Sequence, residues 1–322
     1  MCPVLIHLLI CGFFLGGSHL PLDADPPKSL RRSPPPATIE STTAEFIAID
    51  DPHAMAVAKL KSLGGMLVTN DEGIVIAISL SGFRVTNTTL SELKVFPGLQ
   101  RLKLNDTYVK PDGLVHLAEL PGLMHVDLSG HAVGDDGAAH LASLKQLKSL
   151  SLTRADLTDD GLSHLSGLVN LELLEIGENR VSDEGLAHLA QMTKLKSLWL
   201  NRTGITDAGL KHLRPFSQLN SLGLSRTGVS DAGLAEVAKF TELQTLYLFG
   251  CASISDAGLA ELKGHLELKT IMLFGCRKIT DDGLQYLQDI PGLRQLWVRG
   301  TKVTTSGIEQ LKEQLPRCIV LK

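Results

Sequence analysis

Aromatic residues are scarce in this chain: 2 Trp, 3 Tyr and 9 Phe, or 4% of 322 residues. With so few, their positions carry information. Cysteine is also sparse, at 5 residues. Cys2 and Cys11 lie at the extreme N-terminus, which leaves Cys251, Cys276 and Cys318, too few for a disulfide framework. No sign of charge dominates. The formal net charge is -4, with acidic and basic residues interspersed, and this excludes the basic stripe that nucleic-acid binding leaves. No apolar run reaches the roughly 20 residues needed to span a bilayer. Gly-x-Ser-x-Gly, His-Glu-x-x-His and a phosphate-cradling glycine loop are all missing. The sequence therefore names no catalytic residue, calls for no cofactor and offers no metal ligand set with zinc spacing. The expectation is a non-enzyme.

What the chain has instead is period. Leu99, Leu123, Leu147, Leu171, Leu195, Leu219 and Leu243 recur every 24 residues, and Leu268 and Leu293 follow at 25. Each opens the phrase Leu-x-x-Leu-x-Leu, then two residues, then Thr, Asn or Cys, then a branched apolar residue, then Asp-x-Gly-Leu. Leu195, Leu198, Leu200, Thr203, Ile205, Asp207, Gly209 and Leu210 spell it in full. Self-similarity at this period decides architecture before any local reading does. The phrase resembles the leucine-rich repeat family over residues 66–322. It is most similar to the short Thr-Asp-x-Gly-Leu forms of cysteine-containing repeats and of exported bacterial, planctomycete-like members. The resemblance implies an α/β solenoid, a leucine-rich repeat horseshoe with a concave parallel sheet and convex helices. It says little about function.

The physics of one unit agrees. The two leucines of each Leu-x-Leu point inward from a short strand, and the second half returns as a helix. In Ile205-Thr206-Asp207-Ala208-Gly209-Leu210, Thr206 is a natural N-cap and Asp207 sits where the helix dipole favours an anion. Ile205 and Leu210 occupy the staple positions. The same reading applies at Thr158, Ser182, Ser230, Ser255 and Thr280. The Asp row from Asp135 to Asp281 is thus capping structure. One unit cannot bury its own apolar face, so only the stack folds.

Four segments follow. Residues 1–18 read as a signal peptide, with an apolar run from Pro3 to Gly17 broken only by His7. A lipoprotein at Cys11 and an uncleaved membrane tether are the alternatives. Residues 19–45 form a proline-rich linker. Residues 46–74 form a cap: a helix over 53–63 ended by Gly64-Gly65, then a hairpin through Asn70-Asp71-Glu72-Gly73. Residues 75–322 hold about ten repeats, with strands opening at Val75 and then at each phrase-opening leucine. A last helix over 307–315 and an edge strand over 317–321 end the stack. Disulfide-rich caps of the animal extracellular kind cannot be built here. That leaves an exported bacterial protein, in periplasm, envelope or medium, or an intracellular one.

Two further rows recur. Cys251 and Cys276 take the Thr/Asn position, and both units read Cys-x-x-Ile with one extra residue. The residues read as buried thiols facing the turn; a disulfide between neighbouring strands and a metal site are the alternatives. His116, His140, His164, His188 and His212 recur every 24 residues along the helical side, as a partly exposed row or a pH-responsive surface. Three Asn-x-Thr sequons, at Asn87, Asn105 and Asn201, are weak because the repeat phrase itself generates two of them.

The inner face carries the functional reading. The residue between the last two leucines runs Ser79, Lys103, Asp127, Ser151, Glu175, Trp199, Gly223, Tyr247, Met272, Trp297. The first five are polar, and four of the last five are large and apolar. Both tryptophans of the chain stand in this row. Phe249 and Phe274 follow their third leucines, with Arg154, Arg202, Arg226 and Arg299 alongside. Half-exposed, five aromatics would present on the order of 500 Å². Trp, Tyr and Arg are favoured at binding hot spots. The site expected is therefore Trp199, Tyr247, Phe249, Met272, Phe274, Trp297, Arg202, Arg226 and Arg299, gripping a protein or peptide. The plain alternative is that Phe249 and Phe274 tuck under the loop edge. A carbohydrate receptor is a second reading. The substrate arm of a ubiquitin ligase, which the repeat subtype resembles, is a third; residues 19–52 are too short and proline-rich for its adaptor. Oligomeric state is left open.

Overall fold

The computed structural model describes residues 51–82 and 84–322. The expected signal segment 1–18, the linker 19–45, residues 46–50 of the cap, and Phe83 lie outside the described residues.

The cap forms as the local signals require. Pro52–Ser62 is helical, with Pro at its start and the Asp51 carboxylate accepting the His53 N–H at 2.9 Å. Gly64 ends it at φ +80°, a conformation glycine adopts without a Cβ penalty. Strand β1 (Met66–Thr69) then pairs antiparallel with β2 (Val75–Ser81), and the Asn70 side chain accepts two turn amides, from Glu72 and Ile74. Every later strand joins in parallel: β3 (Arg101–Asn105), β4 (His125–Asp127), β5 (Ser149–Ser151), β6 (Leu173–Glu175), β7 (Ser197–Trp199), β8 (Ser221–Gly223), β9 (Thr245–Tyr247), β10 (Thr270–Met272), β11 (Gln295–Trp297) and β12 (Ile319–Leu321). Among the described residues they make one 12-stranded sheet in strict chain order. This is an α/β solenoid.

The regular strands are shorter than the leucine phrase. Leu195 does not open a strand: its N–H turns back to the Met192 carbonyl, and the amides of Lys196 and Ser197 both reach Glu172. Pairing also continues past the strand. The Leu200 N–H reaches Gly223 and the Arg202 N–H reaches Ser225, each at 2.8 Å. To keep its amide aimed at the next repeat, the residue two beyond the third leucine takes a left-handed conformation. Glycine fills this position at Gly82, Gly130, Gly250, Gly275 and Gly300, but Asp106, Arg154, Glu178, Arg202 and Arg226 hold it with φ between 49° and 58°. The left-handed region costs a non-glycine residue about 1–2 kcal/mol.

The helical layer is made of short pieces, and Pro111–Glu119 is a 3-10 helix. The Asp row does more than cap its own helix. Each carboxylate reaches forward to the next repeat. Asp183 accepts the Thr206 N–H at 2.8 Å and its hydroxyl at 2.5 Å. The joints from Asp135 to Thr158, Asp159 to Ser182, Asp207 to Ser230, Asp231 to Ser255, Asp256 to Thr280 and Asp281 to Thr304 repeat this double bond. The glycine of Asp-x-Gly is what admits the carboxylate. A Cβ on Gly209 would overlap Asp183 Oδ1 and stand 3.0 Å from its Cγ. The expected N-cap bond, from the residue two further on to the cap hydroxyl, is present at Thr158, Thr206, Ser230, Ser255 and Thr280. It is missing at Ser182, whose hydroxyl lies between the carboxylates of Asp159 and Glu184.

Leu195, Leu198, Leu200, Ile205 and Leu210 are all fully buried, and most of their counterparts along the stack are buried too, Val109 only partly. One continuous core runs from Ala56 to Cys318.

Candidate ligand-binding face

The sheet buries one face against the leucine core and leaves the other open. Because the ladder has no register slip after β2, the residue between the last two leucines lines up strand by strand. Glu175 pairs with Trp199, Trp199 with Gly223, Gly223 with Tyr247, Tyr247 with Met272, and Met272 with Trp297. Side chains two apart share a face of a strand. Ser197, Ser221, Thr245, Thr270 and Gln295 therefore flank this row on one side, and Asn201, Ser225, Phe249, Phe274 and Arg299 on the other.

Gly223 organises the aromatic row. A Cβ there would overlap Trp199 Cε3 and stand 3.0 Å from the Asn201 amide. With no side chain in the way, the Trp199 indole lies across β8. It meets Tyr247 edge to face, with centroids 4.8 Å apart at 76°. Phe249 and Phe274 form a second pair, also 4.8 Å apart, tilted by 41°. The Arg226 guanidinium lies 4.6 Å over the Phe249 ring, and that of Arg299 lies 6.0 Å from Phe274. Arg226, Arg202 and Arg299 are exposed, and the six apolar residues are mostly covered. The rings shield one another, so the face is less open than half-exposed aromatics would make it. Burial raises the Tyr247 hydroxyl pKa. The Trp297 Nε1–H is covered and meets no acceptor among the described residues, which costs about 1–3 kcal/mol.

The three expected arginines thus differ. Arg202 pairs with Glu178 at 3.3 Å. Arg226 and Arg299 rest on phenyl rings and form no ion pair among the described residues. On the N-terminal half of the same face, Lys103 meets Asp127 at 2.9 Å. His125 beside them has a lowered pKa, through burial first and then Arg101 and Lys148. From β7 to β11, the three rows of the open face hold no Asp or Glu.

The other candidate rows find structural employment. Cys251 and Cys276 are buried free thiols. Cys251 Sγ donates to the Leu224 carbonyl at 3.2 Å and Cys276 Sγ to that of Leu248 at 3.0 Å, each in the preceding repeat. Burial pushes both thiols up, Cys276 to about 12. Thr203, Thr227 and Thr301 close the same turn through their hydroxyls. Asn179 closes it most fully, donating to three carbonyls and accepting from Ala155 and Leu157. The histidine row stands on the helical side, partly or fully exposed. Among the described residues no His/Cys/Asp/Glu group could hold a metal, and no helix is long and apolar enough to cross a membrane. Asn87 is occupied in a joint, accepting from Lys110 and donating to Asp112. Sequence reading did not single out Gly223 or His131. His131 is buried at the turn position and bonds Thr107 across the repeat joint. The signal for Gly223 was its place as the sole glycine in the aromatic row.

Comparison with known proteins agrees with the geometry. A leucine-rich repeat family model matches residues 122–142 and 145–166. No curated protein matches in sequence. The fold is similar to that of an internalin (inlF) from Listeria monocytogenes: TM-score 0.55 and 17% identity, covering 83% of this chain and 94% of the internalin. It is also similar to internalin C2 from the same species: TM-score 0.51 and 24% identity, covering 68% of this chain and 92% of that one. With the 24-residue phrase, the unslipped parallel ladder and these likenesses, the chain carries leucine-rich repeats and has the fold of a leucine-rich repeat solenoid.

Proposed function

We propose that this protein is a non-enzymatic binding module, exported from the cell, that grips a protein or peptide on the β7–β11 half of its open sheet face. Leucine-rich repeat proteins are interaction modules in general, and among the described residues no His/Cys/Asp/Glu group could hold a metal. The observation that carries the location is the concentration of Trp199, Tyr247, Phe249, Met272, Phe274 and Trp297 on four of five adjacent repeats, on a face where the fold itself asks for no aromatic. Such residues in a partly desolvated row are hot-spot chemistry.

The test is capture from the native envelope extract by the full chain, against a Trp199→Ala/Trp297→Ala variant with an unchanged circular dichroism spectrum. A partner taken by the wild type and lost by the variant is the expected result. Equal recovery by both proteins discards this face as the site.

A further inference from the structure

Resting on that reading of the face, we infer that its partner is an extended protein segment with two acidic residues four apart and an apolar residue midway between them. The first observation is charge. Arg226 and Arg299 carry the exposed guanidiniums of this half of the face that meet no carboxylate among the described residues, and its three rows contain no acid. Elsewhere on the same face, Lys103 pairs with Asp127 and Arg202 with Glu178. The second observation is strain. Arg226 holds a left-handed position, φ +56°, that Gly250, Gly275 and Gly300 fill in the following repeats. Glycine and non-glycine residues share this position equally along the stack, so Arg226 is kept where glycine would be unstrained.

The third observation is spacing. Arg226 follows β8 and Arg299 follows β11, three strand steps apart, or about 14 Å at ordinary strand spacing. An extended chain advances about 3.3 Å per residue and shows alternate side chains to one side. Residues i and i+4 of a chain crossing the strands therefore reach the two guanidiniums. Residue i+2 faces the Phe249–Phe274 pair between them.

The rings also argue for peptide over sugar. A glycan needs flat, open ring faces laid side by side. Here Trp199 and Tyr247 stand at 76° to each other, and Phe249 is covered by Arg226 on one face and packed on Phe274. The surface is corrugated, suited to single side chains.

The experiment is selection of a phage-displayed random 12-residue library on the full chain, followed by fluorescence-polarisation titration of the consensus peptide. The titrated proteins are the wild type, Arg226→Gly/Arg299→Ala, and Trp199→Ala/Trp297→Ala. Glycine at 226 suits the left-handed backbone, so the arginine variant keeps its fold. We expect a consensus with Asp or Glu four apart and an at least tenfold weaker Kd for the arginine variant. Changing the peptide acids to amides should weaken wild-type binding tenfold and leave binding to the arginine variant unchanged. A peptide that loses affinity for the tryptophan variant but not the arginine variant overturns the acidic-segment inference and keeps the site. A peptide indifferent to both variants overturns both. Failure to enrich any peptide, with polygalacturonate binding instead, also overturns the inference.

Discussion

The joint between repeats can be tested by a double-mutant cycle at Asp183 and Gly209. Asp183 holds the amide and hydroxyl of Thr206 in the next repeat. Hydrogen bonds to a charged group contribute about 1.5–3 kcal/mol each, and the Thr206 end of this joint is exposed, so the lower value applies. Asp183→Ala should cost about 3 kcal/mol. Gly209→Ala would gain about 1 kcal/mol of helix propensity. Its new methyl, however, would overlap Asp183 Oδ1 and press on Leu186 Cδ1, 3.2 Å away. Expelling the carboxylate loses the same two bonds, for a net cost of about 2 kcal/mol. Independent effects would add to about 5 kcal/mol. In the double variant the methyl enters the space the carboxylate has left, the propensity gain survives, and the cost is again about 2 kcal/mol. The assay is urea denaturation followed by far-ultraviolet circular dichroism, with slopes compared to confirm that each variant unfolds as one unit. A double variant that is additive within about 0.5 kcal/mol refutes the joint, because uncoupled sites add to that accuracy.

Other expected outcomes follow from single contacts. Gly223→Ala should push the Trp199 indole off β8 and cost the Tyr247 contact, about 0.5–1.5 kcal/mol; in a Trp297→Phe background the indole emission should shift to the red, and an unshifted spectrum would count against the stacking. Cys276, with its thiol held up at about 12, should stay unlabelled by iodoacetamide at pH 8 in the native protein and react once urea unfolds it, as read by peptide mass mapping. Asp135 has a lowered pKa: burial opposes the ionised form most, but the Thr158 and Gly161 hydrogen bonds together outweigh it. Its contribution to stability is therefore full above the unfolded carboxylate value, about 3.9, and is lost as pH falls through the lower folded value. Asp135→Asn should lower the urea midpoint at pH 6 and narrow the gap to wild type as pH drops below 4; a constant gap would refute the assignment.

Much of this was legible because the informative signals are local or periodic. The cap helix, its Gly64 stop, the hairpin and the N-cap of each repeat depend on neighbours within a few residues. The row Trp199, Tyr247, Met272, Trp297 needed only the period and the alternation of a strand. What escaped depends on the backbone or on the next repeat. Arg226 and Glu178 look like ordinary exposed residues until their positive φ is seen, and that φ follows from extending the ladder past the strand. The strands are shorter than their leucine phrase because the first leucine bonds back into the preceding turn. Asp183 reads as a helix-dipole residue because its main partner, Thr206, is 23 residues away. Gly223 was a gap in an aromatic row until the Trp199 ring was found lying in it.

The Asp-to-cap joint gives the stack a direction of inheritance. From Asp135 to Asp281, each repeat completes the helix start of its successor. Thr305 stands where Asp135 to Asp281 stand in the seven preceding units, and its own cap, Thr304, is held by Asp281. The 25-residue units keep the joint as well: the separation grows from 23 to 24 at Asp231–Ser255 and Asp256–Thr280, so the added residue falls ahead of the cap and leaves the bonds intact. A gene coding for such a chain can gain or lose whole periods, of either length, and every new junction finds its carboxylate, its hydroxyl and its glycine already in place. The sheet face can thereby be lengthened or shortened to suit a ligand without redesigning what holds it together.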